Sequence, residues 1–151
     1  DISSEALSVT RKNISLHRLN SRAVALEADA LAPPPLRMQN FDLIACNPPY
    51  ITEAECKALD TSVRDWEPML ALDGGEDGLV FYRSVLQNWK SVLKDGGWII
   101  FEVGEGQAVD VRALLLEAGF HNLGCTLDTL GTERVIYAQK KKPIPTDSEE
   151  R

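Results

Sequence analysis

The stretch that decides the fold reads FDLIACNPPY and runs from Phe41 to Tyr50. Its first part, through Cys46, is an apolar run that is typical of a strand covered on both faces in a parallel sheet. Pro48 and Pro49 then remove two backbone donors and fix φ, so the sheet has to stop there. The sequence therefore predicts a buried strand whose carboxyl end carries an Asn amide, a free carbonyl and an aromatic ring. In open α/β sheets, that end is where ligands bind.

Outward from this strand, helical and strand patterns alternate along the chain. The patterns predict helices at about 3–17, 53–59, 78–93 and 107–118. They predict strands at about 23–26, 41–46, 98–103, 121–127 and 134–139. The short link between the last two strands indicates an antiparallel pair. Together these features predict a doubly wound, mostly parallel α/β sheet that ends in an antiparallel hairpin.

Two smaller patterns support this order. On the helix predicted at 78–93, apolar side chains recur at helical spacing and are expected in the core: Leu79, Tyr82, Val85, Leu86, Trp89 and Leu93. The segment Gly74-Gly75 with Asp77 is predicted to be a turn and helix cap. A helix terminator is expected at 94–97, and Gly119 is expected just after the helix at 107–118.

The bulk composition restricts the function classes. The 151 residues are 44% hydrophobic and 26% charged, as in a globular domain. A net charge of −7 argues against a large duplex-DNA footprint, which needs a basic surface. The three cysteines lack CxxC spacing and the two histidines lie far apart, so no metal site is predicted. Since neither a membrane span nor a signal peptide is visible, we expect a cytoplasmic protein with reduced thiols.

The tetrapeptide Asn47-Pro48-Pro49-Tyr50 suits chemistry at a planar, amide-like nitrogen. Such a nitrogen is a poor nucleophile because its lone pair is delocalised, and a site helps by accepting both of its N–H bonds. The side-chain oxygen of Asn47 and the carbonyl of Pro48 supply two acceptors, and the Tyr50 ring can pack against the planar group. A Pro-rich turn whose Asn bonds only to backbone stays open as the alternative, because Asn-Pro is a common turn signal.

Further motifs extend the pattern from Asp1 to about Gln139, and with them the chain resembles the HemK family of protein glutamine methyltransferases. The matching segments are Asp1-Ile2-Ser3 with Ala6-Leu7 and Asn13, Phe41 to Ile51, Trp66-Glu67-Pro68, Ala71 to Leu79, Tyr82-Arg83, Phe101 to Gly104 with Gln107, and Asp128 with Gly131 and Arg134. The family usually has Tyr where this chain has Trp66. The tetrapeptide alone is also shared with adenine and cytosine amino-methyltransferases, whereas the block from Ala71 to Leu79 is more specific.

The resemblance implies a Rossmann-like class I methyltransferase fold. It also implies methyl transfer from S-adenosyl-L-methionine to a glutamine amide in a class I peptide-chain release factor. The implied catalytic residues are Asn47, Pro48, Pro49 and Tyr50, of which the first two hold the amide and the others shape its pocket. Partners other than the release factor, such as a membrane or nucleic acid, are not expected, and the oligomeric state is not predicted.

The resemblance also implies a set of cofactor-binding residues: Asp1, Asp29, Ala30 and Asn47. Asp1 would accept from the ribose hydroxyls, as a carboxylate can do for two neighbouring hydroxyls. Asp29, with the N–H of Ala30, would face the adenine edge. For Asp29 a simple loop-capping role is an equal alternative.

The family comparison sets the expected domain division. Residues 1–139 are expected to be part of a catalytic domain, and residues 140–151 to be a polar, disordered tail. The family's Gly-rich first strand and its upstream helical domain are not in the sequence. We therefore expect a fragment that lacks its first strand and is inactive on its own.

Two other functions stay open. A DNA or RNA amino-methyltransferase would share the tetrapeptide, although the acidic charge disfavours it. A non-catalytic methyltransferase-fold binding subunit is the other alternative, because the Gly-rich cofactor loop of the family is not in the sequence. Glu102 and Glu105 resemble a carboxylate pair, but spacing alone does not place them for acid–base work.

Overall fold

A computed structural model describes residues 1–64 and 66–142. Its strands form a four-stranded sheet in the order β1-β2-β4-β3. The strands are β1 (Phe41–Cys46), β2 (Leu93–Glu102), β3 (Phe120–Leu127) and β4 (Glu133–Lys140). The α-helices are α1 (Ser4–Leu16), α2 (Glu53–Ala58), α3 (Thr61–Arg64), α4 (Val80–Ser84) and α5 (Ala108–Glu117). The alternation of strands and helices confirms the predicted α/β class.

Strand pairing makes this a mixed sheet. Strand β1 pairs with β2 in parallel, whereas β4 pairs antiparallel with both β2 and β3. The terminal antiparallel hairpin is confirmed. Among the described strands, β1, β2 and β3 run in the same direction and β4 is reversed, as the sequence predicts. Because β4 lies between β2 and β3, two of the three strand pairs are antiparallel.

The strand predicted at 23–26 does not form in the described structure. The segment runs extended beside the start of the chain, where the backbone nitrogen of Asp1 donates to the Leu26 carbonyl at 3.2 Å. The Ala28 nitrogen donates back to the Asp1 carbonyl at 3.1 Å. These two bonds follow the parallel pattern, but both involve Asp1 alone. A β-strand needs a longer ladder, so the segment does not become one.

Strand β1 is also less covered than its apolar sequence predicts. The side chains of Phe41 and Leu43 are 40% and 49% exposed. The reason is positional, because β1 is an edge strand of the described sheet with β2 on one side only. The Nζ of Lys94 in β2 forms an ion pair with Oδ1 of Asp42 in β1 at 2.6 Å.

The helix predicted at 78–93 consists of three short helical segments of different types: α, π and 3₁₀. Helix α4 continues into a π-helical turn, Val85–Trp89, and then a 3₁₀ turn, Lys90–Val92. The expected terminator at 94–97 lies instead inside β2, where it forms an irregularity between the pairs Phe41–Leu93 and Leu43–Trp98. The predicted core positions are confirmed: Tyr82, Val85, Leu86 and Leu93 are buried, and Leu79 and Trp89 pack against them.

The remaining elements follow their local sequence signals. Ser3 caps α1 by accepting from the Ala6 nitrogen at 3.1 Å. Gly119 follows α5 with φ of 82°, a left-handed conformation that suits glycine. The tail was predicted to begin at residue 140, but Lys140 still belongs to β4, so that boundary is one residue too early. Residues 143–151 of the predicted tail lie outside the described part of the chain. Among the described residues, no helix is long and apolar enough to cross a membrane.

Candidate active site

The Asn47–Tyr50 turn follows directly on β1, whose last residue Cys46 pairs with Phe101 of β2. Pro48 is buried, Pro49 and Tyr50 are half-buried, and Asn47 is exposed. The turn thus has a packed backbone and an amide side chain that solvent or a ligand can reach. This is the arrangement that the sequence predicts for the carboxyl end of this strand.

Three buried glycines enclose the Pro49-Tyr50 backbone. A Cβ on Gly74 would lie 2.8 Å from the Tyr50 Cα and 2.9 Å from the Pro49 carbonyl oxygen. A Cβ on Gly78 would meet the Tyr50 carbonyl oxygen, and one on Gly104 would lie 2.9 Å from the Tyr50 ring. Such contacts are far too short for carbon atoms, so the turn fits here only because these positions lack side chains. We call Gly74, Gly78 and Gly104 the glycine cradle.

A short backbone ladder fixes the segment after the turn. The Ile51 nitrogen donates to the Leu72 carbonyl at 3.0 Å, and the Gly74 nitrogen donates to the Ile51 carbonyl at 2.8 Å. Ile51 and Asp73 form a parallel bridge at this point. The ladder therefore draws the block from Ala71 to Leu79 against the exit of the turn.

The same block carries the turn and cap that its sequence predicts. An Asp73 carboxylate oxygen accepts from the Gly75 nitrogen at 2.8 Å, and one of Asp77 accepts from the Leu79 nitrogen at 3.1 Å. Arg83 binds both oxygens of Asp77, at 2.8 and 2.9 Å. Hydrogen bonding from Arg83 lowers the pKa of Asp77 to about 2. Sequence reasoning missed the larger structural role of the block, which is that two of its glycines line the Asn47–Tyr50 turn.

Gln107 connects three segments at this end of the sheet, and sequence reasoning gave it no role. Its side-chain nitrogen donates to the Tyr50 carbonyl at 2.9 Å and to the Gly78 carbonyl at 3.3 Å. Its side-chain oxygen accepts from the Gly104 nitrogen at 3.0 Å. The amide thus bridges the turn, the block from Ala71 to Leu79 and the segment that follows β2.

An aromatic pair and a thiol lie beneath the turn. Tyr82 donates its hydroxyl to the Glu102 carbonyl at 2.8 Å and packs edge-on against Phe101, with ring centroids 5.2 Å apart. Burial raises the pKa of Tyr82, and the neighbouring Cys46 contributes. Burial also raises the pKa of the Cys46 thiol to about 11. At neutral pH both groups are uncharged, so they support the site by packing and not by nucleophilic chemistry.

The residues predicted to face the cofactor form a second group. Asp1 and Asp29 are brought near each other by the pairing of Asp1 with the Leu26–Ala28 segment. One oxygen of Asp1 accepts from the Ser3 nitrogen at 2.8 Å, and one oxygen of Asp29 accepts from the Leu31 nitrogen at 2.8 Å. The Asp29 bond is the loop cap that the sequence left open as an alternative.

The loop after Asp29 is fastened to the helical segment that includes the π turn. Ser84 donates to the Ala30 carbonyl at 2.9 Å, Asn88 donates to the Leu31 carbonyl at 3.3 Å, and Trp89 donates its indole N–H to the Ala32 carbonyl at 3.0 Å. Asn88 and Trp89 are consecutive, yet both reach the same loop, which fits the wide turn at Val85–Trp89. Ala30 and Tyr50 pack against the same core cluster, so both predicted residue groups rest on one support.

The donor set of these residues fits parts of S-adenosylmethionine. Each of the two carboxylates uses one oxygen locally, which leaves a second oxygen for ribose hydroxyls at Asp1 and for an adenine amine at Asp29. No group of three metal-ligating side chains occurs among the residues that the structure describes.

Solved structures identify the class of fold. The hMettl16 catalytic domain superposes with a TM-score of 0.61 at 14% identity, covering 97% of this chain and 57% of its own. A SAM-dependent methyltransferase from Aquifex aeolicus superposes with a TM-score of 0.55 at 14% identity, covering 92% of this chain and 65% of its own. The chain thus has the α/β fold of the class I S-adenosylmethionine-dependent methyltransferases.

Curated relatives of this chain are named for one activity. A release factor glutamine methyltransferase of Clostridium botulinum is 41% identical over 140 residues, which is 93% of this chain and 50% of that protein. One of Clostridium acetobutylicum is 40% identical over 138 residues, which is 91% of this chain and 48% of that protein. The chain is a homologue of the release factor glutamine methyltransferases and spans about half the length of these relatives. No protein-family model matches it.

Proposed function

We propose that the protein containing this chain methylates the side-chain amide nitrogen of a glutamine in a class I peptide-chain release factor. The single observation that carries the proposal is the Asn47–Tyr50 turn. It leaves the β1 end with an exposed Asn amide and a backbone that the glycine cradle encloses. The relatives named above, which are called release factor glutamine methyltransferases, support the choice of substrate.

The proposed chemistry relies on orientation. The Asn47 side-chain oxygen and the Pro48 carbonyl accept the two N–H bonds of the substrate amide, so its lone pair turns toward the electrophile. The half-buried Tyr50 ring fixes the amide plane. The nitrogen loses a proton to solvent after it has been alkylated, so no general base is required. The gain comes from positioning and electrostatic fit.

S-adenosylmethionine is the proposed cofactor, and when bound it supplies an electrophilic methyl group. Asp1 would accept from its ribose hydroxyls, and Asp29 with the Ala30 N–H would hold its adenine edge. Asn47 would lie where cofactor and substrate meet. Residues 1–139 would be part of the catalytic domain and residues 140–151 a tail, and the proposed compartment is the cytoplasm, where release factors work.

The test is methyl transfer by the complete protein from radiolabelled S-adenosylmethionine. The acceptors are a purified class I release factor, the same factor with its target glutamine replaced, duplex DNA and RNA. Label in the intact release factor alone is the expected result. Label in nucleic acid with an untouched release factor would instead establish the amino-methyltransferase alternative. Cofactor binding with no transfer to any acceptor would favour a non-catalytic binding subunit.

A further inference from the structure

We propose that Gln107 is a positioning residue for methyl transfer, which acts by holding the Asn47–Tyr50 turn in its productive geometry. The inference rests on the proposed function, because it concerns the same site. Gln107 lies at the amino end of α5, at its N-cap, and its side chain is half-buried. It does not cap the helix itself. Its amide instead points back to the ends of β1 and β2.

Both ends of the Gln107 amide are used. The nitrogen donates to the carbonyls of Tyr50 and Gly78, at 2.9 and 3.3 Å, and the oxygen accepts from the Gly104 nitrogen at 3.0 Å. A primary amide has two donors and one carbonyl oxygen, so its polar groups are all engaged. The side chain is therefore fixed in orientation, which is what a positioning residue requires.

The turn needs such a side chain because it has few backbone donors of its own. Pro48 and Pro49 have no N–H, so no ladder can hold the turn between Asn47 and Tyr50. The backbone ladder resumes only at Ile51, which donates to Leu72. The Tyr50 carbonyl lies directly after the two prolines, and Gln107 binds it from the segment that follows β2.

The surroundings reserve space for this amide. A Cβ on Gly78 would lie 2.5 Å from the Gln107 side-chain nitrogen, and one on Gly104 would lie 2.8 Å from its side-chain oxygen. Two members of the glycine cradle therefore accommodate both the turn and Gln107. Glycine at these two positions therefore lets the Gln107 amide approach both backbone segments closely.

The expected effect falls on the rate of transfer. Misplacement of a reacting group by about 1 Å can reduce a rate by roughly 100-fold. Loss of the Gln107 bonds would let the turn relax while leaving its side chains present. The turnover number should then fall more than the affinity for cofactor or release factor.

The experiment compares Gln107→Met with Gln139→Met in the complete protein. Gln139 is a matched control because its amide is also used at both ends: it donates to the Gly96 carbonyl at 2.8 Å and accepts from Asn122 at 2.9 Å. Gln107→Met should lower kcat by roughly 10- to 100-fold and change either KM less than about threefold. Gln139→Met should leave kcat within about twofold. Equal kcat values for the two variants, or a rise in KM alone, would overturn the proposal.

Gln107→Glu adds a readout that a purely structural role would not move. A carboxylate keeps the acceptor for Gly104 but cannot donate to Tyr50, whereas the protonated carboxyl can. The kcat of this variant relative to wild type should rise as the pH falls from about 8 to about 6, since burial beside carbonyls raises a carboxyl pKa. A flat ratio with full activity would contradict the assignment.

Amide hydrogen exchange separates this inference from the proposed function. In Gln107→Met, the Ile51 amide, which donates to Leu72, and the Gly74 amide, which donates to Ile51, should exchange at least about tenfold faster than in Gln139→Met. If the wild-type protein methylates no release factor, the proposed function fails, and this measurement still decides whether Gln107 holds the turn. Unchanged exchange at both amides would refute the holding role.

Discussion

The Cα of Tyr50 lies 2.8 Å from the position that a Cβ on Gly74 would occupy. Gly74 is not among the residues with positive φ, so its backbone conformation is open to other amino acids. Its requirement for glycine is therefore one of space alone. A single added methyl group at Gly74 therefore tests the close approach of this residue to the Asn47–Tyr50 turn.

Gly74→Ala should displace the Pro49-Tyr50 backbone and reduce kcat by at least about tenfold. Overpacking at such a buried position should also lower the free energy of unfolding by about 1–3 kcal/mol. Gly131→Ala is the control, because nothing lies within 4 Å of its Cβ position and its φ is 85°. That variant should lose about 1 kcal/mol of stability with kcat unchanged. Urea unfolding and steady-state methylation measure both effects, and equal kcat values for the variants would contradict the prediction.

Asn47→Ala should abolish most activity without unfolding the protein. Its side chain is exposed, so the free energy of unfolding should change by less than about 0.5 kcal/mol. Loss of one acceptor for the substrate amide should lower kcat by roughly 100- to 1,000-fold. Asn20→Ala removes another exposed amide, far along the chain from the turn, and should leave kcat unchanged. A comparable loss in the two variants would exclude a specific role for Asn47.

Local sequence signals predicted much of this fold because the forces that act there are local. The extent of β1 follows from an apolar run that two prolines end. Helix α5 ends at Glu117, with Ala118 as its C-cap, because Gly119 accepts a left-handed conformation. The π turn at Val85–Trp89 had no comparable signal, since an apolar helical pattern looks the same whether the turn is α or π.

Reasoning from the residues themselves, apart from the family resemblance, indicated only the part of the candidate site that is contiguous in sequence. The four consecutive residues Asn47–Tyr50 form a motif that can be recognised in the sequence. The bond from Gln107 to Tyr50 instead joins residues that are 57 positions apart, so no local motif contains it. That contact exists because the carboxyl ends of two parallel strands meet, which no local pattern encodes. Likewise, the exposure of β1 depends on which strands lie beside it and not on its own composition.

The thiol of Cys46 should lose its proton only at a higher pH than an ordinary cysteine. Its folded-state pKa of about 11 exceeds the ordinary value of 9.0, so folding favours the neutral thiol. The corresponding stability is fully present below pH 9.0 and is lost as the pH rises toward about 11. Iodoacetamide should therefore modify Cys46 at pH 8 roughly 100-fold more slowly in the folded protein than in urea. Peptide mass spectrometry measures the two rates, and a folded-state midpoint near pH 9 would show that burial does not control this thiol.

Trp89→Phe should weaken cofactor binding while sparing the chemical step. The substitution keeps an aromatic ring against the core but removes the indole N–H that Trp89 donates to the Ala32 carbonyl. A lost hydrogen bond of this kind is worth about 1 kcal/mol, so the Kd for S-adenosylmethionine should rise roughly threefold to tenfold. At saturating cofactor kcat should stay within about twofold, because the Asn47–Tyr50 turn is held by other residues.

Trp98→Phe is the control, since that ring packs against Tyr137 on the sheet at a centroid distance of 6.0 Å. Calorimetric titration of both variants distinguishes the outcomes: equal Kd values would mean that the fastening of the loop after Asp29 has no part in cofactor binding.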